Sequence, residues 1–541
     1  MEAQGIQKGV RAGVRLAELG NPVSGFGVCL IHAERLLLRV DCAYTKRRSQ
    51  HCLVKYRMLS QREGLGVKCF VTDGFQTLWY ILLIACPVPA SSYEVNALDP
   101  SNDPAVAASA QRKASLRLIP LIGIGYGLAY MDRINISFAS LQMNRDLGFS
   151  ATIYGFGAGM FFLGYALCEV PSNLLLMRFG AKKWLARIMF TWGLLATAMM
   201  FVHGPISFYV LRFLLGMAEA GFFPGVIYYL TLWFPTGMRA RAVSRFYIAM
   251  PLSSTVMGSV AGWLLGMNGK LHLAGWQWLF LLEGIPAVLF SFVLLKALPD
   301  GPSQVSWLTA QEKAWMERAL REDGAQAHLG HSAGVMQALL SPKVWAIGLV
   351  MFFLLTCSYG YGFSAPAILL GATGWSVTKI GYVVALFGLA AAVGMLLGAA
   401  SSDRRRERTF HVIVPALMVG TGYMVASYGH GVWTVVVPLG VSFIFYHVLQ
   451  GPALAVPMQF LAGRAAAAGV AAMNTITMFS GLAGPAWMGF MKDKTGDYRM
   501  GLRGLAVSSV CAAGMMYLLS WSLRRTATPK THAVHAPGVE A

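Results

Sequence analysis

Four ionisable residues lie inside stretches of sequence that are otherwise apolar. Asp132 and Arg133 are adjacent, whereas Arg212 and Glu219 are separated by seven positions. Seven residues make two turns of an α-helix, so the second pair shares one helix face, while adjacent side chains point about 100° apart and need not pair only with each other. A charge at the centre of a bilayer costs about 2.5–3.5 kcal/mol or more, so ionisable residues at that depth indicate function.

These residue types suit a site for an anion that is coupled to protons. An arginine presents a planar fork that binds a carboxylate through two hydrogen bonds. A carboxylic acid in low-dielectric surroundings favours its protonated form, so it can load and release a proton. The alternative is an internal salt-bridge network that fixes helices and moves nothing. Two acid–arginine sets in one part of the chain exceed what packing requires, which favours the functional interpretation.

Other polar side chains in the apolar stretches are candidates for a cavity wall. Tyr165 either presents its hydroxyl to a cavity or packs against neighbouring helices, and both interpretations stay open. Tyr130 and Tyr361 are further candidates for substrate binding. His447 lies in the middle of an apolar stretch beside another aromatic residue. A lone histidine is more often a hydrogen-bonded packing residue than a proton relay, and we favour packing here.

Some features of these stretches favour structure over chemistry. Glu169 and Glu283 lie nearer the predicted helix ends, and we expect a structural role for both. Gly258, Gly262 and Gly266 recur at a spacing of four, which allows two helices to approach closely. This glycine series predicts a packed helix interface and says nothing about substrate.

The elements that must position these residues are apolar stretches of about 20 residues, the length that spans a bilayer. Lipid offers the backbone no hydrogen-bond partner, so each stretch must be a helix. The predicted spans are residues 116–139, 152–175, 185–202, 206–230, 245–267, 276–298, 344–370, 377–400, 410–428, 432–456, 466–490 and 501–522. The predicted fold class is therefore an all-α membrane protein with twelve transmembrane helices in two pseudo-symmetric halves of six.

The same pattern divides the chain into five parts. Residues 113–298 form the N-terminal half, 299–343 a cytoplasmic connecting loop with an amphipathic stretch, 344–524 the C-terminal half and 525–541 a cytoplasmic tail. Residues 1–112 differ, because they are rich in Arg, Lys and Cys and lack periodicity. We expect either a disordered extension or sequence translated from a start site assigned too early. Mass spectrometry of the native N-terminus distinguishes the two.

Composition and charge exclude several classes of function. Only 13% of the 541 residues are charged, against about 25% in soluble proteins. The net charge of +20 comes from Lys and Arg in short loops, such as 178–187 and 404–408, which predicts a bacterial inner-membrane protein with both termini cytoplasmic. No basic face carries the interleaved aromatic residues that nucleic acid binding needs.

The sequence also lacks the motifs of an enzyme or an ATP-driven pump. It contains no phosphate-binding GxxxxGK[ST] loop and no Cys/His spacing typical of a metal site. We therefore expect no catalysis, no cofactor and no metal. The expected partners are a small organic anion, a proton and the lipid bilayer, and we expect the protein to work as a monomer.

Several stretches together match a known family pattern. They are residues 130–135, 164–173, 212–219, 275–286, 307–313 and 402–404, with Asn474, Gly481 and Pro485. In these stretches the sequence resembles the major facilitator superfamily and, within it, the anion:cation symporter family. Bacterial members of that family take up tartrate, phthalate, glucarate and galactonate. The resemblance covers residues 113–524 and implies an alternating-access symporter for a carboxylate or sugar acid and a proton.

The resemblance also implies roles for individual residues. Arg133 would hold the substrate carboxylate, helped by Tyr165 and Asn474. Asp132 and Glu219 would be the protonatable acids, and Arg212, the remaining member of the set, would modulate Glu219. Three alternatives stay open: an exporter or exchanger of the same fold, coupling to sodium in place of protons, and a membrane receptor that transports nothing.

Three positions depart from the family pattern. Met177 stands where the wider superfamily usually has an aspartate in the loop after the second helix, which removes a charge from that loop. The helix-7 segment 363–366 reads Phe-Ser-Ala-Pro where the family often has Phe-Trp-Leu-Pro, and Ala453 follows a Gly-Pro where an aromatic is common. Loss of bulky aromatics beside a cavity enlarges it or reduces stacking. We therefore predict that the substrate is not a standard hexonate.

Overall fold

The structure is a computed structural model, and it describes part of the 541-residue chain. The described residues are 26–33, 36–43, 52–58, 68–71, 104–329, 341–405, 407–457 and 463–527. The chain divides into two compact units, Met1–Leu98 and Asp99–Ala541. Each unit is described by itself.

The first unit contains one antiparallel sheet with strand order β1-β2-β3-β4. The strands are β1 (Phe26–Ala33), β2 (Leu36–Ala43), β3 (Cys52–Met58) and β4 (Lys68–Val71). β1 and β2 are rich in Val, Leu and Ile and lie two residues apart in sequence, which favours pairing as a hairpin. We expected a disordered extension here. Paired strands do not fit that expectation, and the early start site stays a prediction.

The second unit is helical throughout its described length. Its helices are α1 (Pro104–Leu147), α2 (Ala151–Phe179), α3 (Ala181–Ala198), α4 (Pro205–Glu219), α5 (Phe222–Thr231), α6 (Thr236–Tyr247), α7 (Ala249–Leu265), α8 (Gly275–Ala297), α9 (Ala310–Leu329), α10 (Pro342–Thr373), α11 (Val377–Arg405), α12 (Phe410–Tyr428), α13 (Val432–Ala455), α14 (Gly463–Thr495) and α15 (Arg499–Ala527). Short 3₁₀ turns follow α3 and precede α8 and α9.

The helices follow the predicted spans closely. Eleven segments among the described residues are long and apolar enough to cross a membrane. The remaining predicted span corresponds to α14, which is 33 residues long. α1 begins at Pro104, earlier than the boundary predicted at 113. The first part of this helix is polar, so its apolar pattern begins after the helix itself does. The all-α prediction for the membrane part is confirmed.

The predicted span 206–230 is broken into α4 and α5 directly after Glu219. Gly221 adopts φ 87°, a conformation that favours glycine, and a Cβ there would lie 2.4 Å from Ser172 Oγ. Pro224 explains the break, because a proline ring in a continuous helix would clash with the carbonyl four residues earlier, that of Ala220. The break places Glu219 at a helix end in the interior of the protein, and discontinuous helices line the sites of many transporters.

Two helix pairs make the most extensive contacts between the halves among the described residues. α7 packs on α11, where a Cβ at Gly258 would lie 2.5 Å from the Gly381 carbonyl oxygen and one at Gly262 2.4 Å from Thr378 Cα. The predicted glycine interface is thus confirmed at two of its three positions, since Gly266 lies beyond the end of α7. The other pair is α2 on α14, described next.

At one end of the α2–α14 interface, a carboxylate of the second half caps a helix of the first. Asp493 Oδ1 accepts from Ala151 N at 3.0 Å and Oδ2 from Thr152 N at 2.7 Å. These backbone N–H groups have no partner within the helix, and an anion there also complements the helix dipole. The halves are therefore held together by hydrogen bonds as well as by packing at this end.

The connecting segment binds to the first half. Glu312 and Thr309 form a capping box at the start of α9, with Thr309 N donating to Glu312 Oε2 at 2.8 Å. Ser109 Oγ and Lys113 Nζ of α1 donate to the same carboxylate at 2.6 Å and 2.9 Å. Burial raises the pKa of Glu312, but the hydrogen bonds from Ser109, Lys113 and Thr309 outweigh it and bring the pKa to about 2.

Candidate functional site

Arg133 and Glu219 form a buried ion pair between α1 and α4. Arg133 Nη2 donates to Glu219 Oε1, and the two side chains are 13% and 1% exposed. Glu219 Oε2 has no hydrogen-bond partner among the described residues. Removing one partner of such a pair leaves an uncompensated charge in the interior, so this contact is sensitive to protonation of the acid.

Asp132 and Arg212 lie beside this pair. Asp132 Oδ1 accepts from Asn135 Nδ2 at 3.2 Å, while Oδ2 has no partner within the described chain. Arg212 is fully buried and donates to the Ala158 carbonyl at 3.4 Å. As predicted, Asp132 and Arg133 do not pair only with each other. The direct partner of Glu219 is Arg133, although Arg212 shares its helix face.

The two arginines lie near the same aromatic ring. The guanidinium carbons of Arg133 and Arg212 lie 5.2 Å and 5.0 Å from the centroid of the Phe161 ring. Arg133 also lies 5.5 Å from the centroid of the Tyr165 ring. A ring face attracts a cation, so Phe161 stabilises two like charges that would otherwise repel each other at short range. The sequence analysis did not single out Phe161, because a phenylalanine in an apolar helix carries no signal of its own.

A cavity opens beside Arg133, and both halves contribute to its wall. From the first half, Tyr130, Arg133 and Ser254 line it; from the second, residues of α10, α11 and α13 do so. The cavity volume is about 50 Å³, enough for a few water molecules. A dicarboxylate is larger, so the walls must move apart before such a molecule can enter.

The second half supplies hydroxyls to this cavity. Tyr361 lines it, is 2% exposed, and its hydroxyl has no partner among the described residues. Tyr359 lines it too and acts electrostatically on Arg133. The structure thus places the predicted Tyr130 and Tyr361 at the cavity wall. It adds Tyr359, which the sequence analysis missed because its spacing of two from Tyr361 puts it on a different helix face.

Two other predicted residues lie away from the cavity wall. Tyr165 is 4% exposed and packs beside Arg133 without lining the cavity. Asn474 Nδ2 donates to Glu169 Oε1 at 2.6 Å, which joins α14 to α2 across the two halves. His447 Nδ1 lies 2.8 Å from the Phe443 carbonyl oxygen, as expected for a hydrogen-bonded packing residue. The substrate-binding role predicted for Asn474 stays a prediction.

The departures from the family pattern fall at different distances from this cavity. Ala365 lines the cavity, whereas Ser364, which stands where the family often has Trp, is buried and is not among the lining residues. Of the bulk missing on α10, the part at Ala365 is therefore the part lost from the cavity wall. Ala453 is buried in the second half and is not among the lining residues. Of the two departures, the one at Ala365 is therefore the one that bears on substrate shape.

Comparison with known proteins identifies the family. A family model described as Major Facilitator Superfamily matches residues 122–485. A protein of Agrobacterium vitis whose name refers to tartrate transport is 41% identical over 78% of this chain and 94% of its own length. A quinolone resistance transporter of Acinetobacter baumannii is 36% identical over 77% and 96%. The inner membrane transport protein RhmT of Escherichia coli K12 is 32% identical over 78% and 98%.

Solved structures share the fold. A bacterial homologue of the human lysosomal transporter Spinster superposes with a TM-score of 0.63 at 18% identity, covering 76% of this chain and 98% of that one. The xylose transporter XylE of Escherichia coli gives 0.59 at 14% identity, with 75% and 98% covered. The chain is a multi-pass membrane transport protein for a small organic substrate and not an enzyme. It belongs to the Major Facilitator Superfamily.

Proposed function

We propose that this protein takes up an organic carboxylate together with a proton by alternating access. The observation that carries the proposal is the Arg133–Glu219 ion pair at the wall of a cavity shared by the two halves. A substrate carboxylate and the Glu219 carboxylate would compete for one guanidinium. Protonation of Glu219 removes the competitor and leaves Arg133 unpaired, so proton binding and substrate binding favour each other.

The substrate class follows from the cation and the hydroxyls that accompany it. Arg133 provides the bidentate fork for a carboxylate, and Tyr361 provides an unpartnered hydroxyl on the opposite half. A small hydroxy acid satisfies both groups at once, and the tartrate named for the Agrobacterium vitis relative has this chemistry. Ala365 in place of a bulky residue changes the cavity wall, which argues against a standard hexonate.

The conformational cycle has a physical basis in the interface between the halves. With both termini on the cytoplasmic side of the bacterial inner membrane, α2 begins at the periplasmic side, where Asp493 caps it. Closure there blocks the route from the periplasm to the cavity. Separation of α2 from α14 at this end would break those hydrogen bonds and open the cavity to the periplasm.

Transport by the full-length protein in liposomes tests this function. An acidic exterior is imposed, and uptake of labelled tartrate, phthalate, sugar acids and benzoates is followed with and without an uncoupler. Arg133→Ala is measured beside Arg145→Ala, the same change at an exposed position of the same helix. We expect one carboxylate to accumulate in liposomes that contain the wild type or Arg145→Ala. This accumulation should be lost with the uncoupler and in Arg133→Ala.

Two results would contradict the proposal. Accumulation that survives the uncoupler but collapses without a sodium gradient would replace the proton with sodium. Uptake that Arg133→Ala leaves intact would remove the carboxylate site from this cavity. Strong saturable uptake of galactonate or glucarate would contradict the inference drawn from Ala365.

Export is the second candidate, favoured by the quinolone resistance relative at 36% identity. A quinolone also carries a carboxylate, so the same arginine could bind it. Liposomes preloaded with a quinolone distinguish the two directions. Efflux of the quinolone driven by an inward proton gradient would support export, provided that carboxylate supplied outside the liposomes does not accumulate inside.

A further inference from the structure

Glu283 is a buried acid that the coupling scheme above does not use. It lies on α8, is 8% exposed, and both of its carboxyl oxygens are buried without a hydrogen-bond partner in the described part of the chain. The polar side chains that act on it are Asn135 and Asp132 of α1. We expected a structural role for Glu283, but among the described residues no ion pair ties this acid to a neighbouring helix.

Within the part of the chain that the structure describes, no cation acts on Glu283 from the elements packed around it, α1 included. α8 packs on α1, α3, α7 and the 3₁₀ turn Met199–Phe201. α7 and the 3₁₀ turn contain no ionisable residue. A Cβ at the neighbouring Gly284 would lie 2.2 Å from Thr197 Oγ1, so this level of α8 meets the end of α3, whereas the basic residues of α3 lie at its start.

The balance between buried arginines and buried acids around Glu283 then decides whether this side chain is protonated. Two arginines, Arg133 and Arg212, balance two acids, Asp132 and Glu219, and Glu283 is a third acid without a cation. An unpaired carboxylate at this depth is strongly disfavoured, whereas a neutral carboxyl can donate one hydrogen bond. Asn135 Oδ1 is a buried acceptor without a donor in the described structure, and a protonated Glu283 would supply one.

The positions of Glu283 on α8 and of Asp132 on α1 indicate which of the two acids a proton reaches first. At the end where α1 finishes and α8 begins, Trp276 Nε1 donates to Asp146 Oδ2 at 3.1 Å. From this level Glu283 lies seven residues further along α8, and Asp132 fourteen residues back along α1. At 1.5 Å per residue these are depths of about 10 Å and about 21 Å. A proton arriving from this end therefore reaches the level of Glu283 before that of Asp132.

We propose that Glu283 is a proton-binding site that loads Asp132 with a proton from the outer end of α1 and α8. In this step the O–H bond of Glu283 breaks, water between the two levels carries the proton, and an O–H bond forms at Asp132 Oδ2, which has no other partner among the described residues. The total charge of the two acids is unchanged, and no other reactant is needed. Asn135, between them, orients both carboxyls. The inference rests on the proton coupling proposed above.

Glu283→Gln tests the proposal, since the amide has the shape of a protonated acid but cannot release a proton. Asp146→Asn is the matched control, because it makes the same change in an acid that joins the same two helices. Full-length protein in liposomes is assayed with labelled tartrate for accumulation driven by a proton gradient and for exchange without one. We expect Glu283→Gln to lose accumulation and keep exchange, and Asp146→Asn to keep both.

Infrared spectroscopy supplies a readout that does not depend on tartrate. The wild type at neutral pH should show the C=O stretch of a protonated carboxylic acid that Glu283→Gln lacks. Identical spectra would overturn the proposal, and so would accumulation preserved in Glu283→Gln or exchange lost together with accumulation. Failure of the wild type itself to accumulate tartrate would instead count against the proposed substrate, and the spectra would still decide on Glu283.

Discussion

The two halves of the membrane domain have the same helical architecture but different interiors. In the first half, the buried polar residues include Asp132, Arg212, Glu219 and Glu283. In the described spans of the second half, the buried polar side chains are serine and threonine hydroxyls and one histidine, His447. One half thus concentrates ionisable groups, and the other presents neutral hydroxyls and aromatic rings.

This difference indicates a division of labour. Burying charge is costly unless each charge is balanced, so grouping two arginines with their acids in one half lets them balance one another. Since the described spans of the second half contain no buried charges, these spans can move against the first half without breaking buried ion pairs. We infer that the first half binds protons and the substrate carboxylate, and that the second half recognises the rest of the substrate.

The largest effect should come from removing the cation of the first half. Arg133→Ala leaves Glu219 buried without its partner and removes the carboxylate fork, a loss of about 2–5 kcal/mol. We expect both accumulation and exchange of the carboxylate to disappear. Arg133→Lys, which keeps the charge without the fork, should retain a small part. His447 is a buried ionisable residue of the second half, and His447→Gln should transport nearly as well as the wild type. A loss of transport as large as that in Arg133→Ala would contradict the division of labour between the halves.

A smaller, selective effect is expected from Glu219→Gln. The amide cannot release a proton, so Arg133 stays available to substrate and the carboxylate is exchanged in both directions. Accumulation against a gradient should be lost, because nothing couples the proton to the movement of substrate. The measurement is the ratio of internal to external label with and without an acidic exterior. Proton-driven accumulation in this variant would assign the coupling to other acids.

A still smaller effect is expected from the second half. Tyr361→Phe removes one unpartnered hydroxyl from the cavity wall. A single hydrogen bond contributes about 0.5–1.5 kcal/mol, so the KM for a hydroxylated carboxylate should rise roughly 2- to 10-fold with proton coupling retained. Transport of an unhydroxylated carboxylate should not change. Loss of proton coupling in Tyr361→Phe would show that both halves carry the coupling.

Most of the helical architecture could be predicted from sequence, because a span in lipid must be both long and apolar. The break after Glu219 could not be found from hydropathy, since α4 and α5 together are continuously apolar. Its signal is local: Gly221 and Pro224 stand where a straight helix would be strained. The identities of the charged residues were likewise visible, because each interrupts an apolar stretch.

The partners of those residues were harder to predict. The distance between residues on different helices depends on packing, so sequence spacing suggested Arg212 for Glu219 whereas the direct contact is with Arg133. The bond between Asn474 and Glu169 spans 305 positions and could not be inferred from either residue. Glu283 was underestimated because its isolation is visible only when its neighbours are known.

The smallest effect on transport is expected from Glu312, which extends the comparison to the connecting segment. Its carboxylate binds Ser109 and Lys113, both on the first half. The pKa of Glu312 is lowered from its ordinary value of 4.5 to about 2, so its stabilising contribution is complete above pH 4.5 and is lost as the pH falls toward 2. Glu312→Gln should remove this contribution at neutral pH.

Amide hydrogen exchange in α9 measures the effect. Exchange should accelerate in Glu312→Gln, and the difference from the wild type should shrink as the pH falls from 4.5 toward 2, after correction for intrinsic exchange rates. Glu317→Gln, at a more exposed position of the same helix, is the control and should change little. Carboxylate transport should stay nearly unchanged, because the described partners of Glu312, which are Ser109, Lys113 and Thr309, are not among the residues that line the cavity. A large loss of transport in Glu312→Gln would mean that the connecting segment takes part in the movement of the halves.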